Sequence, residues 1–199
     1  MTRFIGAQRL PSRTVEMFSR RGFLDAADCA ALIARVEAQR RPSGLADHDG
    51  GAGFRTSETC DLDAADPFVA GITARLAAYA GLVPAHAEPL QGQRYAVGQE
   101  FKLHTDYFEA SGADYDLYCG QAGQRTWTLM VYLNVPEAGG ATRFKQLDKT
   151  VQPETGKLLA WNNRLPDGGT NYATLHQGLP VRRGVKYIIT SWFRERRWG

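Results

Sequence analysis

From about Leu90 to Arg194 the sequence is a succession of short runs rich in β-branched and aromatic residues, set too close together for helices to fit between them. The runs are Gln91–Val97, Thr126–Asn134, Thr142–Phe144, Lys157–Trp161, Thr174–His176 and Lys186–Arg194. Residues that interrupt regular structure stand between them: Pro136, Gly139-Gly140, Pro166 with Gly168-Gly169, and Pro180. Neighbouring parallel strands need a long crossover, usually a helix. A doubly wound parallel fold is therefore excluded, and an antiparallel sandwich or barrel remains.

The first part of the chain reads differently. Asp25 to Arg40 predicts a helix, because Cys29, Leu32, Ile33 and Val36 recur at i, i+3, i+4 and i+7 and form one apolar stripe. Arg41 to Gly53 is a loop, broken by Pro42, Ser43, Gly44, Gly50, Gly51 and Gly53. Asp66-Pro67 starts a second helix, with Asp66 as N-cap and proline at the first helical position. Phe68, Val69, Ile72, Leu76 and Tyr79 give it a buried face, and Gly81 closes it in the left-handed conformation. The expected fold class is α+β, mainly β, with supporting helices packed outside a β core. At 199 residues the chain is about one domain, with a helical N-terminal part over about 1–85 and a β core over about 86–199.

Composition narrows the function classes. Hydrophobic residues are 43% and charged residues 23%, ordinary globular usage that leaves enough chain for a core. Net charge is +3, from 24 basic and 21 acidic residues spread along the chain, so no nucleic-acid partner is expected. No apolar run approaches the roughly 18 residues of a membrane span, so no membrane partner is expected either. Cys29, Cys60 and Cys119 are an odd number without paired spacing. They read as free thiols in a reducing compartment, and they exclude a zinc ribbon. The first 21 residues are Arg-rich with only Glu16 acidic, a faint transit-peptide character, but they lack the apolar segment of a secretory signal. The expected location is cytoplasmic.

Candidate chemistry rests on few residues. Of the four histidines, His48 lies in the Gly-rich loop and His86 in a Pro-flanked turn, neither beside other ligand types. His104 and Asp106 stand two apart at the end of a predicted strand, so both project from one face and can point at one ion. His176, from a later strand, can supply a third ligand. Two His and one carboxylate on one face of an octahedron is the facial triad of non-haem Fe(II) oxygenases. By itself His-x-Asp fits a surface turn equally, and His176 fits a hydrogen-bonded core or rim residue. Lys186, Ile188, Thr190 and Trp192 share parity. A lysine on such a face is costly unless an anion meets it, and a dicarboxylate co-substrate would. The alternative is that Lys186 opens an edge strand and faces solvent.

Further motifs carry a resemblance. The run Leu90 to Phe108, with Tyr95 and His104-Thr105-Asp106, is similar to the first metal-binding strand of the prolyl 4-hydroxylase family. So are Gly123-Gln124-Arg125 leading into Thr128 to Asn134, and Gly139 to Phe144. Leu175-His176-Gln177-Gly178-Leu179-Pro180-Val181 followed by Gly184-Val185-Lys186 and Trp192 matches in turn, and Phe54-Arg55-Thr56-Ser57 resembles the family's Arg-Thr-Ser element. The likeness runs in order from about residue 54 to 195. It implies a double-stranded β-helix (jelly-roll) core and an Fe(II)/2-oxoglutarate (2OG)-dependent dioxygenase. In that reading His104, Asp106 and His176 bind iron. Lys186 holds the C5 carboxylate of 2OG, helped by Tyr95 and Thr142, and Trp192 lines the pocket. Arg55 and Arg125 match positions near the substrate groove, while Thr128 and Tyr132 face inward by parity, which fits packing. The resemblance further implies O2 as co-substrate, ascorbate as reductant, and decarboxylation of 2OG to succinate coupled to hydroxylation of a C–H bond. The leading substrate is a prolyl residue in a peptide or protein; the alternative is a free amino acid or small natural-product intermediate.

The chain also departs from the family. Ala141 stands where an acidic residue is usual, Phe101 where a tyrosine is usual, and Leu179 replaces the cysteine of Gly-Cys-Pro. The segment from Glu109 to Gln121 is longer than the usual loop. None of these is expected to touch the iron or Lys186, so they bear on substrate choice. Two readings outside oxygenase chemistry are weaker. A zinc hydrolase would need a general base, and no Glu adjoins His104 or His176 in sequence. A non-catalytic jelly-roll binder gives Lys186 and Trp192 no purpose. Oligomeric state is not legible.

Overall fold

The computed structural model describes residues 3–44, 53–112 and 115–199. His48 and most of the Gly-rich loop lie outside them. In chain order the elements are β1 (Gln8–Arg9), β2 (Met17–Arg20), α1 (Ala26–Gln39), β3 (Arg41–Pro42), β4 (Glu58–Asp61) and α2 (Pro67–Ala80). Then come β5 (Gln91–Tyr95), β6 (Phe101–His104), α3 (Tyr115–Cys119), β7 (Arg125–Tyr132), β8 (Ala138–Gly139), β9 (Thr142–Phe144) and β10 (Lys149–Val151). The last are β11 (Leu158–Asn162), β12 (His176–Gly178), β13 (Val181–Arg183) and β14 (Lys186–Arg194).

Both long helices form where their signals stand. Asp25 caps α1 by accepting from the Asp28 amide, and Cys29, Leu32 and Val36 are buried. Asp66 caps α2 through the Phe68 amide, and Gly81 ends it at φ 64°. The positive φ lets the Gly81 amide reach back to the last carbonyls, a conformation other residues adopt only at a cost.

The strands make two main antiparallel sheets. The larger has the order β1-β2-β11-β7-β14-β5-β4-β3 and the smaller β10-β9-β12-β6, with β13-β8 a separate pair. Alternation divides the large sheet's side chains between two cores. On its outer face Leu129, Val131, Leu158, Ile189 and Phe193 pack with the helices. On its inner face Tyr95, Met130, Tyr132, Leu159, Trp161 and Ile188 meet Phe144 and Val151 of the small sheet. This is the jelly-roll sandwich with helices on the outside that the sequence predicts, and the site lies between the sheets.

Three local expectations need correction. Thr174 is not in a strand: Tyr172–Thr174 is a 3-10 turn whose N-cap Asn171 accepts from the Ala173 amide, and β12 begins only at His176. The Glu109–Gln121 loop contains a short helix, α3. The first 61 residues are not only helical, since β1 and β2 extend one end of the large sheet and β3 and β4 the other.

Candidate active site

His104 ends β6 and His176 begins β12, and the two are directly opposite each other across the antiparallel pair. Asp106 lies two residues beyond His104 on the same side, 5% exposed. Its Oδ1 is 3.8 Å from His104 Nε2, and its Oδ2 is 4.0 Å from His176 Nε2. One ligand atom from each of the three residues lies within 4.8 Å of the others, the one such cluster among the described residues.

The backbone decides which nitrogens face the cluster. His104 Nδ1 is 2.7 Å from the Lys102 carbonyl and His176 Nδ1 is 2.9 Å from the Thr174 carbonyl. A carbonyl only accepts, so each Nδ1 carries a hydrogen, and in the neutral ring that a metal ligand requires each Nε2 presents its lone pair. Burial, reinforced by the neighbouring His176, pushes the His104 pKa down to about 3, which keeps that ring neutral. Burial alone would raise the Asp106 pKa, but the Arg125 guanidinium and the Thr128 hydroxyl act against it, and the carboxyl is held below its usual value. Phe101 stacks on His104 at 3.5 Å, and Trp161 packs edge-on against His176 at 4.9 Å. The resulting donor set is two neutral nitrogens and one carboxylate, held by packed aromatics and suited to a divalent transition metal.

Lys186 faces the same interior from the large sheet. It stands opposite Tyr95 on β5 and is 1% exposed. Its Nζ is 4.8 Å from the Tyr95 ring centre and 5.6 Å from that of Tyr132. Burial pushes its pKa down to about 7, with no carboxylate of the described residues offsetting it. Tyr132 donates to Thr142 Oγ1 at 2.6 Å and Tyr95 to Gln93 Oε1 at 2.7 Å, so the predicted Tyr95 and Thr142 both line the chamber around Lys186. The chamber holds a free volume of about 30 Å3.

Outside the triad a cleft of about 660 Å3 opens to solvent, walled by Phe54, Tyr107, Phe108, Trp192 and Trp198. The predicted Arg55 and Arg125 both line it. Arg125 is clamped to Glu88 by two bonds, Nε to Oε1 at 2.6 Å and Nη2 to Oε2 at 2.7 Å, and lies 4.0 Å over the Trp192 ring. Arg194 Nε meets the same Glu88 at 2.8 Å. Arg55 donates to uncharged partners, Gln91 Oε1 at 2.9 Å and Thr59 Oγ1 at 3.1 Å. His86 sits apart in a 3-10 turn against the Arg194 carbonyl. Sequence reasoning missed Glu88 and Trp198, which carry no local pattern, and took Thr128 for a packing residue.

Residues 90–194 match the family model described as the 2OG-Fe(II) oxygenase superfamily. The chain belongs to that superfamily. This oxygenase therefore takes Fe(II) and 2OG, and the hydrolase and binding-module readings fall. The donor set fits the ion, and the buried, unpartnered Lys186 ammonium fits a dianionic co-substrate. The chain is 33% identical over 146 residues to prolyl 4-hydroxylase subunit alpha-2 of Gallus gallus, covering 73% of this oxygenase and 27% of that protein. It is 35% identical over 145 residues to subunit alpha-3 of Homo sapiens, covering 71% and 26%. It thus spans about a quarter of the length of these relatives. Among solved structures, a viral collagen prolyl hydroxylase from Paramecium bursaria Chlorella virus 1, in a 2OG complex, is similar with 27% identity and a TM-score of 0.69. That similarity covers 92% of this oxygenase and 97% of the viral chain.

Proposed function

We propose that this oxygenase hydroxylates a prolyl residue within a peptide or protein. The observation that carries the choice of a peptide is the state of Arg125. Its Nε and Nη2 are already spent on Glu88, so its charge is neutralised and it has little left for a free carboxylate. The remaining nitrogen, Nη1, donates one hydrogen to the Asp106 carbonyl at 3.4 Å and keeps its second for another neutral acceptor, such as a substrate backbone carbonyl. An open, aromatic-walled cleft suits an extended chain with a flat, apolar ring at the reacting position. The relatives named above are prolyl hydroxylases, which supports the same substrate.

In this reading His104, Asp106 and His176 hold Fe(II), and Lys186 receives the far carboxylate of 2OG, with Tyr95 and Thr142 beside it. Bound Fe(II), with 2OG and O2, supplies the oxidising chemistry that decarboxylates 2OG to succinate and delivers hydroxyl to a C–H bond. The chain's own contribution is placement and exclusion. The imidazoles arrive as neutral ligands in fixed tautomers, Lys186 supplies a desolvated cation, and Trp192 closes the wall between co-substrate chamber and cleft. Ascorbate is the expected reductant for restoring ferrous iron.

The test is 2OG consumption with Fe(II) and O2, driven by Pro-rich peptides or by free amino acids. The peptide reading predicts turnover and one added oxygen atom on the peptides. Turnover confined to free proline or another free amino acid would overturn it, and would point to Arg55, which has no carboxylate partner among the described residues, as the group holding the substrate carboxylate.

A further inference from the structure

Thr128 sits on the inner face of β7 in a row that crosses the large sheet, between Trp161 of β11 and Trp192 of β14. One indole packs on His176 and the other lies under Arg125. Thr128 is the polar residue between two aromatic walls, and both it and Asn163 are 0% exposed. Thr128 Oγ1 donates to Asp106 Oδ2 at 2.6 Å, and Asn163 Nδ2 donates to Thr128 Oγ1 at 2.9 Å.

The direction of this chain of bonds follows from counting hydrogens. A hydroxyl has one hydrogen, and a carboxylate can only accept. If the Asn163 carbonyl faced Thr128, one hydroxyl hydrogen would have to serve two acceptors. The amide must therefore present its NH2, and the Thr128 hydrogen is left for Asp106. The consequence is visible at the other end of the amide, where Asn163 Oδ1 is buried without a hydrogen-bond partner among the described residues. Leaving a buried oxygen unmatched is unfavourable, so the amide orientation serves the site and not the core. The backbone pins Asn163 on both sides, its amide to the Thr126 carbonyl at 2.8 Å and its carbonyl to the Asn171 amide at 2.9 Å.

We infer that Thr128 and Asn163 are positioning residues that commit one oxygen of Asp106, Oδ2, to an internal hydrogen bond and so leave Oδ1, 3.8 Å from His104 Nε2, as the oxygen that binds the metal. The inference rests on Asp106 being a metal ligand, as proposed above. Engaging Oδ2 disfavours a carboxylate that grips the ion with both oxygens and would crowd the positions that co-substrate and O2 require. The low-dielectric setting between the two indoles strengthens the bond. Outer partners of this kind commonly change metal affinity by about ten- to a hundredfold when removed.

Titration of the apoprotein with Co(II), read by its visible ligand-field bands, tests this without turnover. Thr128→Val keeps shape but removes the donor, and should weaken Co(II) binding by about ten- to a hundredfold and alter the bands, while Thr128→Ser restores both. Asn163→Ala should give a smaller loss, and the double variant should be no worse than Thr128→Val alone, because both act through one bond. A folded Thr128→Val with unchanged affinity and bands overturns the inference, as does a Thr128→Ser as impaired as Thr128→Val. Should Thr128→Val not fold, Asn163→Ala decides: weakened Co(II) binding supports the relay and unchanged binding overturns it. Asp106→Ala separates the two levels. If it binds Co(II) as the unaltered protein does, the ligand assignment fails and the relay with it; if it loses Co(II) while Thr128→Val does not, the relay alone fails.

Discussion

Lys186 is buried with no carboxylate partner among the described residues, and its response to pH follows. Its folded-state pKa is pushed down to about 7 from an ordinary 10.5. Between those values the unfolded chain binds more protons than the folded one, so this group makes the ligand-free protein more stable as pH rises from 7 to 10.5. Below 7 the cost of the buried charge is present in full. Dianionic 2OG acts in the opposite sense, because it favours the ammonium form. Its binding should therefore take up a proton at pH 8 and almost none at pH 6, and its affinity should fall as pH rises past 7. Calorimetry in buffers of different ionisation enthalpy reads this directly; equal proton uptake at both values would contradict it. Lys186→Met should cost about 1.5–3 kcal/mol of 2OG binding, about ten- to a hundredfold, while raising the melting temperature of the ligand-free protein at pH 7.

At the scale of elements, legibility follows how local the determining interactions are. Both long helices could be read because cap and stripe lie within one segment, and β14 because its nine residues are rich in β-branched and aromatic side chains. The ends of the metal triad were legible for the same reason: His104 and Asp106 are two apart, and extended backbone alone puts them on one side. Strands of two or three residues, such as β1, β8 and β12, are set by their partners and leave no periodicity to read. Register across strands was equally hidden, and with it the meeting of Thr128 with Asp106 and of Glu88 with Arg125. Gly92 shows how tightly elements meet: a Cβ there would collide with the Val36 side chain of α1. Gly92→Ala should push α1 off β5 and cost about 1–3 kcal/mol in urea unfolding, with metal binding retained in the folded fraction. An unchanged unfolding midpoint would contradict that packing.

At the scale of the molecule, the site is made by two sheets that each bring half of it: the two histidines on the small sheet with Asp106 just beyond its edge strand, and the cation for the co-substrate on the large one. Glu88 joins three parts of the chain around the cleft mouth, holding the start of β7 through Arg125 and the end of β14 through Arg194. Glu88→Gln leaves two largely buried guanidinium groups without their shared carboxylate, and should destabilise the fold by about 3–5 kcal/mol in urea unfolding. A loss below about 1 kcal/mol would place the pair in the range of exposed ion pairs and contradict the burial argument. The convergence of the two halves is tested most directly by anaerobic titration with Mn(II) and 2OG. One Mn(II) per chain should bind, and 2OG only after it; Asp106→Ala should lose both, and Lys186→Met should keep the metal while losing 2OG. Undiminished 2OG binding in either variant, or undiminished Mn(II) binding in Asp106→Ala, would contradict the assignment of a single metal centre facing a buried ammonium.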